Sequence, residues 1–163
     1  MLNFKKLKQW EFNYLETFNV KSKSSLYYYF NFLKSKSFKN LRGDVVEAGV
    51  FRGKSLVTTA LILKQLKSKK LIFGYDSFSG FPKISKYDEN KYFNILFKKK
   101  EISQNHFKEI LKLQKYHKKI KSLKISPKNI SSSADFKNTS LLLLKKKIKF
   151  FNIFPKVKLI QGD

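Results

Sequence analysis

The sequence contains no cysteine, only three prolines and six glycines, and 11 acidic residues against 36 basic ones. The absence of cysteine excludes disulfide bonds and thiol chemistry. No apolar run reaches the roughly 18 residues that a membrane-spanning helix needs, and the N-terminus lacks the apolar core of a signal peptide. We therefore expect a cytoplasmic protein without a membrane span. With 42% hydrophobic residues, the 163-residue chain is long enough to bury a core as one domain.

The formal net charge of +25 is carried almost entirely by lysine, since Arg42 and Arg52 are the only arginines. Proteins that read bases or grip phosphates are usually rich in arginine, which can bind them through two hydrogen bonds at once. The lysines here are scattered through every segment, and no recognition-helix, ribonucleoprotein or zinc pattern accompanies them. We expect solvated lysine faces and no specific nucleic-acid partner, beyond weak nonspecific binding of polyanions.

The chain is organised around the stretch GDVVEAGVFRGKS, residues 43–55. This stretch predicts a buried β-strand over residues 44–48, a glycine turn over residues 49–53, and a helix that begins at Lys54. The helix is apolar around most of its circumference, as expected of a crossover helix packed on a parallel sheet. The carboxyl end of such a strand is where open α/β sheets bind small ligands.

Three ligand classes compete for this strand, turn and helix. A phosphate-binding P-loop needs four residues between its glycines, whereas three separate Gly49 from Gly53. A dinucleotide fingerprint needs one more glycine. The turn of S-adenosylmethionine (SAM)-dependent methyltransferases follows an acidic residue, here Glu47, which the ammonium and sulfonium groups of SAM would attract. A unit that binds nothing is the plain structural alternative.

A second acidic strand end follows in KKLIFGYDSFSGFP, residues 69–82. It predicts a strand over residues 71–75 that ends in Asp76, which is placed to accept hydrogen bonds from both ribose hydroxyls of an adenosine. Alternatively, Asp76 caps the turn that follows it. All six glycines lie in the segments of the predicted strand ends, which favours a ligand site. The acidic residues at predicted strand edges are Asp44, Glu47, Asp76 and Asp163.

Taken together, GDVVEAGVFRGKS and YDSFSGFP resemble the macrocin O-methyltransferase (TylF-like) family, and KVKLIQGD, residues 156–163, is similar to the third strand of that family and its adenine loop. The resemblance implies a Rossmann-like class I methyltransferase fold, an α/β fold with a doubly wound, mostly parallel sheet. It also implies SAM-dependent methyl transfer to a hydroxyl of a sugar or glycosylated metabolite. Lys54 stands where the family often has a second glycine.

The resemblance further implies which residues contact the cofactor. Glu47 would bind the methionine ammonium, directly or through water, and Asp76 would hold the ribose. The glycines of the turn would allow close backbone approach, and Gly162 with Asp163 would border the adenine. No catalytic base is predicted. The complete set of candidate cofactor-binding residues is Glu47, Gly49, Phe51, Arg52, Gly53, Asp76, Ser77, Gly162 and Asp163.

The family also uses a divalent metal, expected to be Mg²⁺, but its acidic metal-binding motif has no counterpart in this chain. The resemblance therefore covers the cofactor half, and we expect a sheet truncated after its third strand. Two functions stay open, namely an active O-methyltransferase and a truncated, inactive cofactor-binding fragment. A P-loop-like nucleotide binder ranks behind both.

The remaining segments predict helices. Residues 1–40 predict two helices that pack on the sheet or on the partner subunit of a homo-oligomer. Residues 41–163 form the SAM-binding domain, with a helical insertion over residues 81–156. The apolar stripe of the first helix is Phe4, Leu7, Trp10 and Tyr14, and that of the second is Leu26, Tyr29, Phe30 and Leu33.

Two helices are predicted within the insertion. One covers residues 104–119. The other runs from about Thr139, capped by Asn138, to Phe151. Its buried stripe is Leu141, Leu144, Ile148 and Phe151.

Overall fold

The computed structural model describes residues 6–23, 26–80, 90–119 and 139–162. Within these residues it shows an α/β arrangement of seven α-helices, one 3₁₀ helix and three strands. The elements in chain order are α1 (Gln9–Tyr14), α2 (Tyr27–Leu33), α3 (Lys36–Asn40), β1 (Val45–Ala48), α4 (Lys54–Gln65), β2 (Ile72–Asp76), α5 (Asn90–Lys98), α6 (Gln104–Lys119), α7 (Leu141–Phe150), the 3₁₀ helix Phe154–Lys156 and β3 (Val157–Gln161).

The three described strands form one parallel sheet in the order β1-β2-β3. Glu47 pairs with Gly74, and Asp76 pairs with Gln161. The carboxyl ends of all three strands therefore meet at the same edge of the sheet. The two strands predicted with bounds are confirmed to within one residue at each end, and β3 lies within the segment 156–163 that resembles the third strand of the family.

Among the described residues, one face of this sheet is partly exposed, which corrects the expectation that the first strand is buried. Val46 is 65% exposed and Tyr75 is 44% exposed, and the two side chains lie on the same face. Parallel crossovers share one hand, so α4 and α7 lie together on the opposite face. Alternation along β1 thus shelters Glu47 on the helix side and exposes its neighbours.

Helix α4 begins at Lys54, as predicted, and forms the centre of the core. Its buried residues run without interruption from Leu56 to Leu63. The helix lies close to β2 because Gly74 has no side chain. A Cβ atom at Gly74 would lie 2.3 Å from Leu56 Cδ1, which is closer than packed atoms tolerate.

Helix α7 packs in the same compact unit as the segments up to Phe78. Leu144, Ile148 and Phe151 are buried, as predicted. The predicted cap at Asn138, which lies outside the described residues, is wrong. Ser140 is the N-cap, because its backbone is extended and its side chain accepts a hydrogen bond from the Leu143 N–H at 3.3 Å.

The N-terminal segment forms three short helices where two were predicted. Phe30 and Leu33 of α2 are buried, which confirms that stripe. The stripe of the first helix is wrong at Trp10, which is 63% exposed, and at Tyr14, which is 81% exposed. Leu7 packs against the core, and Phe4 lies outside the described residues. Helix α1 has only six residues, so it turns a single large side chain, that of Phe12, into the core.

Helices α5 and α6 belong to a second compact unit, which spans residues 79–138. Helix α6 has the predicted bounds. The rings of Phe97 in α5 and Phe107 in α6 stack at 4.5 Å between centroids, and Ile110 is buried. No helix in the described parts of either unit is long and apolar enough to cross a membrane.

Candidate functional site

The glycine turn between β1 and α4 has a defined backbone path. The Gly49 N–H donates to the Tyr75 carbonyl oxygen at 2.9 Å, which extends the β1–β2 pairing by one residue. Phe51 then adopts a left-handed conformation with φ of 53°. The Gly53 N–H closes the turn by donating to the Val50 carbonyl oxygen at 2.8 Å.

The two glycines of this turn have different surroundings. Both have positive φ angles, 81° at Gly49 and 72° at Gly53, which side chains disfavour. A Cβ atom on Gly49 would meet nothing within 4 Å, whereas one on Gly53 would lie 2.4 Å from Leu144 Cδ1. Gly53 is therefore needed for packing against α7, and Gly49 borders open space.

The Asp76 carboxylate links the end of β2 to this turn. Its Oδ2 accepts the Phe51 N–H at 2.7 Å, and its Oδ1 accepts the Phe78 N–H at 2.7 Å. The second bond is the local turn cap that the sequence allowed as an alternative. A carboxylate has about four lone-pair positions, so Asp76 retains acceptor capacity for a ligand.

Glu47 organises the start of α4 from the end of β1. Its Oε1 accepts a hydrogen bond from Ser55 Oγ at 2.7 Å, and the Leu56 backbone also bonds to the carboxylate. The Leu56 bond satisfies a first-turn N–H group of a helix whose N-cap, Gly53, has no side chain to do so. Burial raises the pKa of the Glu47 carboxyl, and the two hydrogen bonds offset part of that rise.

No basic side chain among the described residues forms an ion pair with Glu47. A half-buried carboxylate ordinarily needs such a partner, and the chain has 36 basic residues that could provide one.

The hydroxyl of Tyr29 bonds to Thr59 Oγ1 at 3.2 Å. Burial, and to a smaller extent the nearby Glu47 charge, raises the pKa of Tyr29, and the Thr59 hydrogen bond offsets part of that rise.

The opposite side of the turn is held by charged and polar side chains. Glu16 accepts hydrogen bonds from Arg52 and, at 2.6 Å, from Lys147 Nζ. Lys147 Nζ also donates to the Arg52 carbonyl oxygen at 3.2 Å, and Thr139 Oγ1 donates to the Phe51 carbonyl oxygen at 2.6 Å. The Lys147 hydrogen bond is the main reason why the pKa of Glu16 is lowered.

Sequence reasoning missed Glu16, Lys147 and Thr139. Glu16 and Lys147 are 131 residues apart, and no local pattern marks either of them. The scarcity of acidic residues was the one available signal. Arg52, a candidate for cofactor contact, directs its guanidinium to Glu16 in this structure.

The third strand joins the same edge. The Gly162 N–H donates to the Asp76 carbonyl oxygen at 3.2 Å, and Gln161 Nε2 donates to the Ser77 carbonyl oxygen at 3.0 Å. A Cβ atom on Gly162 would meet nothing within 4 Å. Asp163 lies outside the described residues. Seven candidates therefore lie along one edge of the sheet: Glu47, Gly49, Phe51, Gly53, Asp76, Ser77 and Gly162.

The described residues at this edge do not support a phosphate-binding P-loop or a metal site. In a P-loop the lysine would reach phosphates, whereas Lys54 Nζ lies 4.6 Å from the centroid of the Phe18 ring. Among the described residues, no group of three or more His, Asp or Glu side chains could hold a metal ion.

Comparison with known families gives one match. The family described as Macrocin-O-methyltransferase (TylF) matches residues 31–117, just over half of the chain. The matched range includes α3, β1, α4 and β2, with the glycine turn and Asp76, and ends before α7 and β3. No curated protein matches the chain closely enough to count as a relative.

Proposed function

We propose, since the chain belongs to the macrocin-O-methyltransferase (TylF) family, that it binds SAM at the edge formed by the carboxyl ends of β1 and β2. Family membership implies an O-methyltransferase. The proposal adds the cofactor, a Rossmann-like class I methyltransferase fold, and an acceptor hydroxyl on a sugar or a glycosylated small molecule.

The observation that carries this proposal is the unpaired Glu47 carboxyl. It is half-buried at the ligand-binding edge, and within the described residues it meets a hydroxyl and a backbone N–H instead of a cation. The α-ammonium of SAM is a cation that would pair with the Glu47 carboxylate, directly or through one water. A carboxylate here would repel a polyphosphate, which disfavours ATP and NAD.

The turn and Asp76 fit the rest of such a ligand. The open space beside Gly49 lets a ligand approach the backbone closely. Asp76 is held in place by two backbone N–H groups, so its remaining lone pairs are oriented before a ligand arrives. Two ribose hydroxyls are suitable donors for those positions.

Bound SAM would supply an electrophilic methyl group, whose transfer to the acceptor oxygen would break the methyl–sulfur bond, leave a neutral thioether and require loss of the hydroxyl proton. The residues of this chain contribute by binding and orientation, which can lower the barrier of a two-reactant step by several kcal/mol. The described residues do not form a magnesium site.

Isothermal titration of SAM into the parent, Glu47→Gln and Asp44→Asn chains tests the proposal. Gln keeps the shape and an acceptor oxygen but removes the charge, so we expect affinity to fall roughly tenfold to hundredfold. Asp44, at the other end of β1, accepts a hydrogen bond from the Leu71 N–H, so Asp44→Asn serves as the control. Because the pKa of Glu47 is raised, SAM affinity should also weaken as the pH falls toward that pKa. Glu47→Gln binding SAM as tightly as the parent would contradict the proposal.

A further inference from the structure

The outer side of α7 and the 3₁₀ helix exposes four large apolar side chains within 13 residues. The exposed fractions are 62% for Leu142, 65% for Leu143, 75% for Phe150 and 72% for Phe154. Single exposed apolar residues are common, but clusters of this kind mark interaction surfaces. The inner side of α7 is already buried by Leu144 and Ile148, so core packing does not explain them.

An open groove of about 660 Å³ is lined by one of these side chains, that of Phe154. Its volume falls in the range of ligand-binding cavities, about 300–1,000 Å³. The groove lies between α7, the 3₁₀ helix and β3, and its polar lining consists of lysines. The lining residues are Lys145, Ile148, Lys149, Phe154, Val157, Lys158 and Leu159.

The charge of this region has a single sign. Residues 139–162 contain six lysines and no acidic residue. Lys147 bonds Glu16, and Lys156 donates to the Ser68 carbonyl oxygen. The exposed lysines around the apolar side chains are Lys145, Lys146, Lys149 and Lys158. We call the surface formed by these four lysines with Leu142, Leu143, Phe150 and Phe154 the α7 face.

We propose that the α7 face docks on an anionic lipid membrane. Exposed Phe and Leu side chains beside lysines are the composition of helices that lie in the membrane interface. The apolar side chains would enter the boundary between headgroups and acyl chains, and the lysines would contact anionic headgroups. The groove beside Phe154 would accept part of an acyl chain.

Charge complementarity favours this partner over a second copy of the chain. A symmetric dimer would place the same acid-free, lysine-rich surface opposite itself, and the like charges would repel. An anionic lipid surface, by contrast, satisfies both the lysines and the apolar side chains. This docking does not depend on the proposed methyl transfer, since none of its residues lies at the cofactor edge.

Sedimentation with vesicles of phosphatidylcholine, with or without phosphatidylserine, tests the proposal at physiological salt. We expect the chain to bind the anionic vesicles and not the neutral ones. The triple variant Lys145→Gln, Lys149→Gln and Lys158→Gln should bind about 100-fold more weakly, from about fivefold per lysine. The matched control removes the same charge elsewhere, at the exposed Lys36, Lys39 and Lys69, and should bind nearly as well as the parent.

Aromatic variants separate insertion from plain electrostatic attraction. Phe150→Ser with Phe154→Ser should weaken binding at least about tenfold, whereas Tyr14→Ser with Tyr28→Ser, which are 81% and 82% exposed, should change it little. Trp10 is the only tryptophan, so Trp10→Phe with Phe154→Trp gives one reporter, whose emission should shift to the blue on anionic vesicles.

Several results would overturn this proposal. No binding of the parent chain, equal losses in the two lysine triples, or full binding by the phenylalanine pair would each do so. A dimer in sedimentation equilibrium that dissociates in the phenylalanine pair would assign the α7 face to a second copy. Circular dichroism and urea unfolding of each variant should match those of the parent and show that the variants are folded.

Discussion

Replacement of Asp76 tests how the glycine turn is held to the sheet. Its two oxygens accept the N–H groups of Phe51 and Phe78, each at 2.7 Å. A hydrogen bond to a charged group contributes about 1.5–3 kcal/mol, and we take the low end because Asp76 is half-buried. Asp76→Ala should therefore lower the free energy of unfolding by about 3 kcal/mol, and Asp76→Asn, which keeps one acceptor, by about 1.5 kcal/mol.

Urea unfolding followed by circular dichroism measures both values, provided that the slope with urea concentration stays constant. Asp44→Ala is the matched control, because Asp44 accepts a single N–H, from Leu71, at 2.8 Å in an exposed position. It should cost about 0.5–1 kcal/mol. If Asp76→Ala and Asp44→Ala were equally stable, the Asp76 carboxylate would not hold the turn.

The same variants bear on ligand binding. Asp76→Ala removes both the turn anchor and the proposed ribose acceptor, so we expect SAM affinity to fall by a factor of ten to a hundred, or about 1–3 kcal/mol. Asp76→Asn keeps more of the turn and loses only part of the acceptor capacity, so its affinity should lie between those of the parent and Asp76→Ala. An Asp76→Ala chain that binds SAM like the parent would leave Asp76 as a turn cap alone.

Three further predictions concern stability in the same urea assay. Gly53→Ala should cost at least about 2 kcal/mol, because it adds backbone strain and a clash with Leu144, whereas Gly49→Ala adds strain without a clash and should cost about 1 kcal/mol. The raised pKa of Glu47 means that its charge costs stability as the pH rises above its ordinary value of 4.5 and through the folded pKa. Glu47→Gln should therefore be at least as stable as the parent at pH 7.5, with no such advantage below pH 4.5, and a large loss at pH 7.5 would contradict this reasoning. The pKa of Glu16 is lowered, so its carboxylate stabilises the fold above pH 4.5, and this stabilisation is lost as the pH falls through the folded pKa. Glu16→Gln should therefore lower the free energy of unfolding by about 1 kcal/mol or less at pH 7 and make stability depend less on pH on the acid side.

The sequence predicted the central elements because their signals are local. The apolar runs of β1 and β2, the glycines between β1 and α4, and the helical period of α6 each lie within a short window. The family resemblance rests on the same windows, and the family match over residues 31–117 confirms it. The apolar stripe predicted for helix α1 was wrong at Trp10 and Tyr14, because a helix of six residues is too short for a stripe to repeat.

What the sequence could not predict depends on contacts between distant residues. Nothing near Glu16 indicates that Lys147 will bond to it, because the fold alone brings α7 to the turn. The open face of β1 was missed because the residue types of a strand do not reveal which of its faces a helix will cover. The role of Glu47 at the start of α4 likewise became visible only from its bond to Ser55.

The central claim is that SAM binds at the carboxyl ends of β1 and β2. Amide spectra of the ¹⁵N-labelled chain, recorded during a SAM titration, test it most directly. We predict that the largest shifts occur at the amides of residues 49–53 and 76–78, that the Leu71 amide at the other end of the sheet does not move, and that ATP and NAD leave all of them in place. Shifts produced by ATP or NAD at this edge but not by SAM, or SAM-induced shifts confined to other parts of the chain, would contradict the claim.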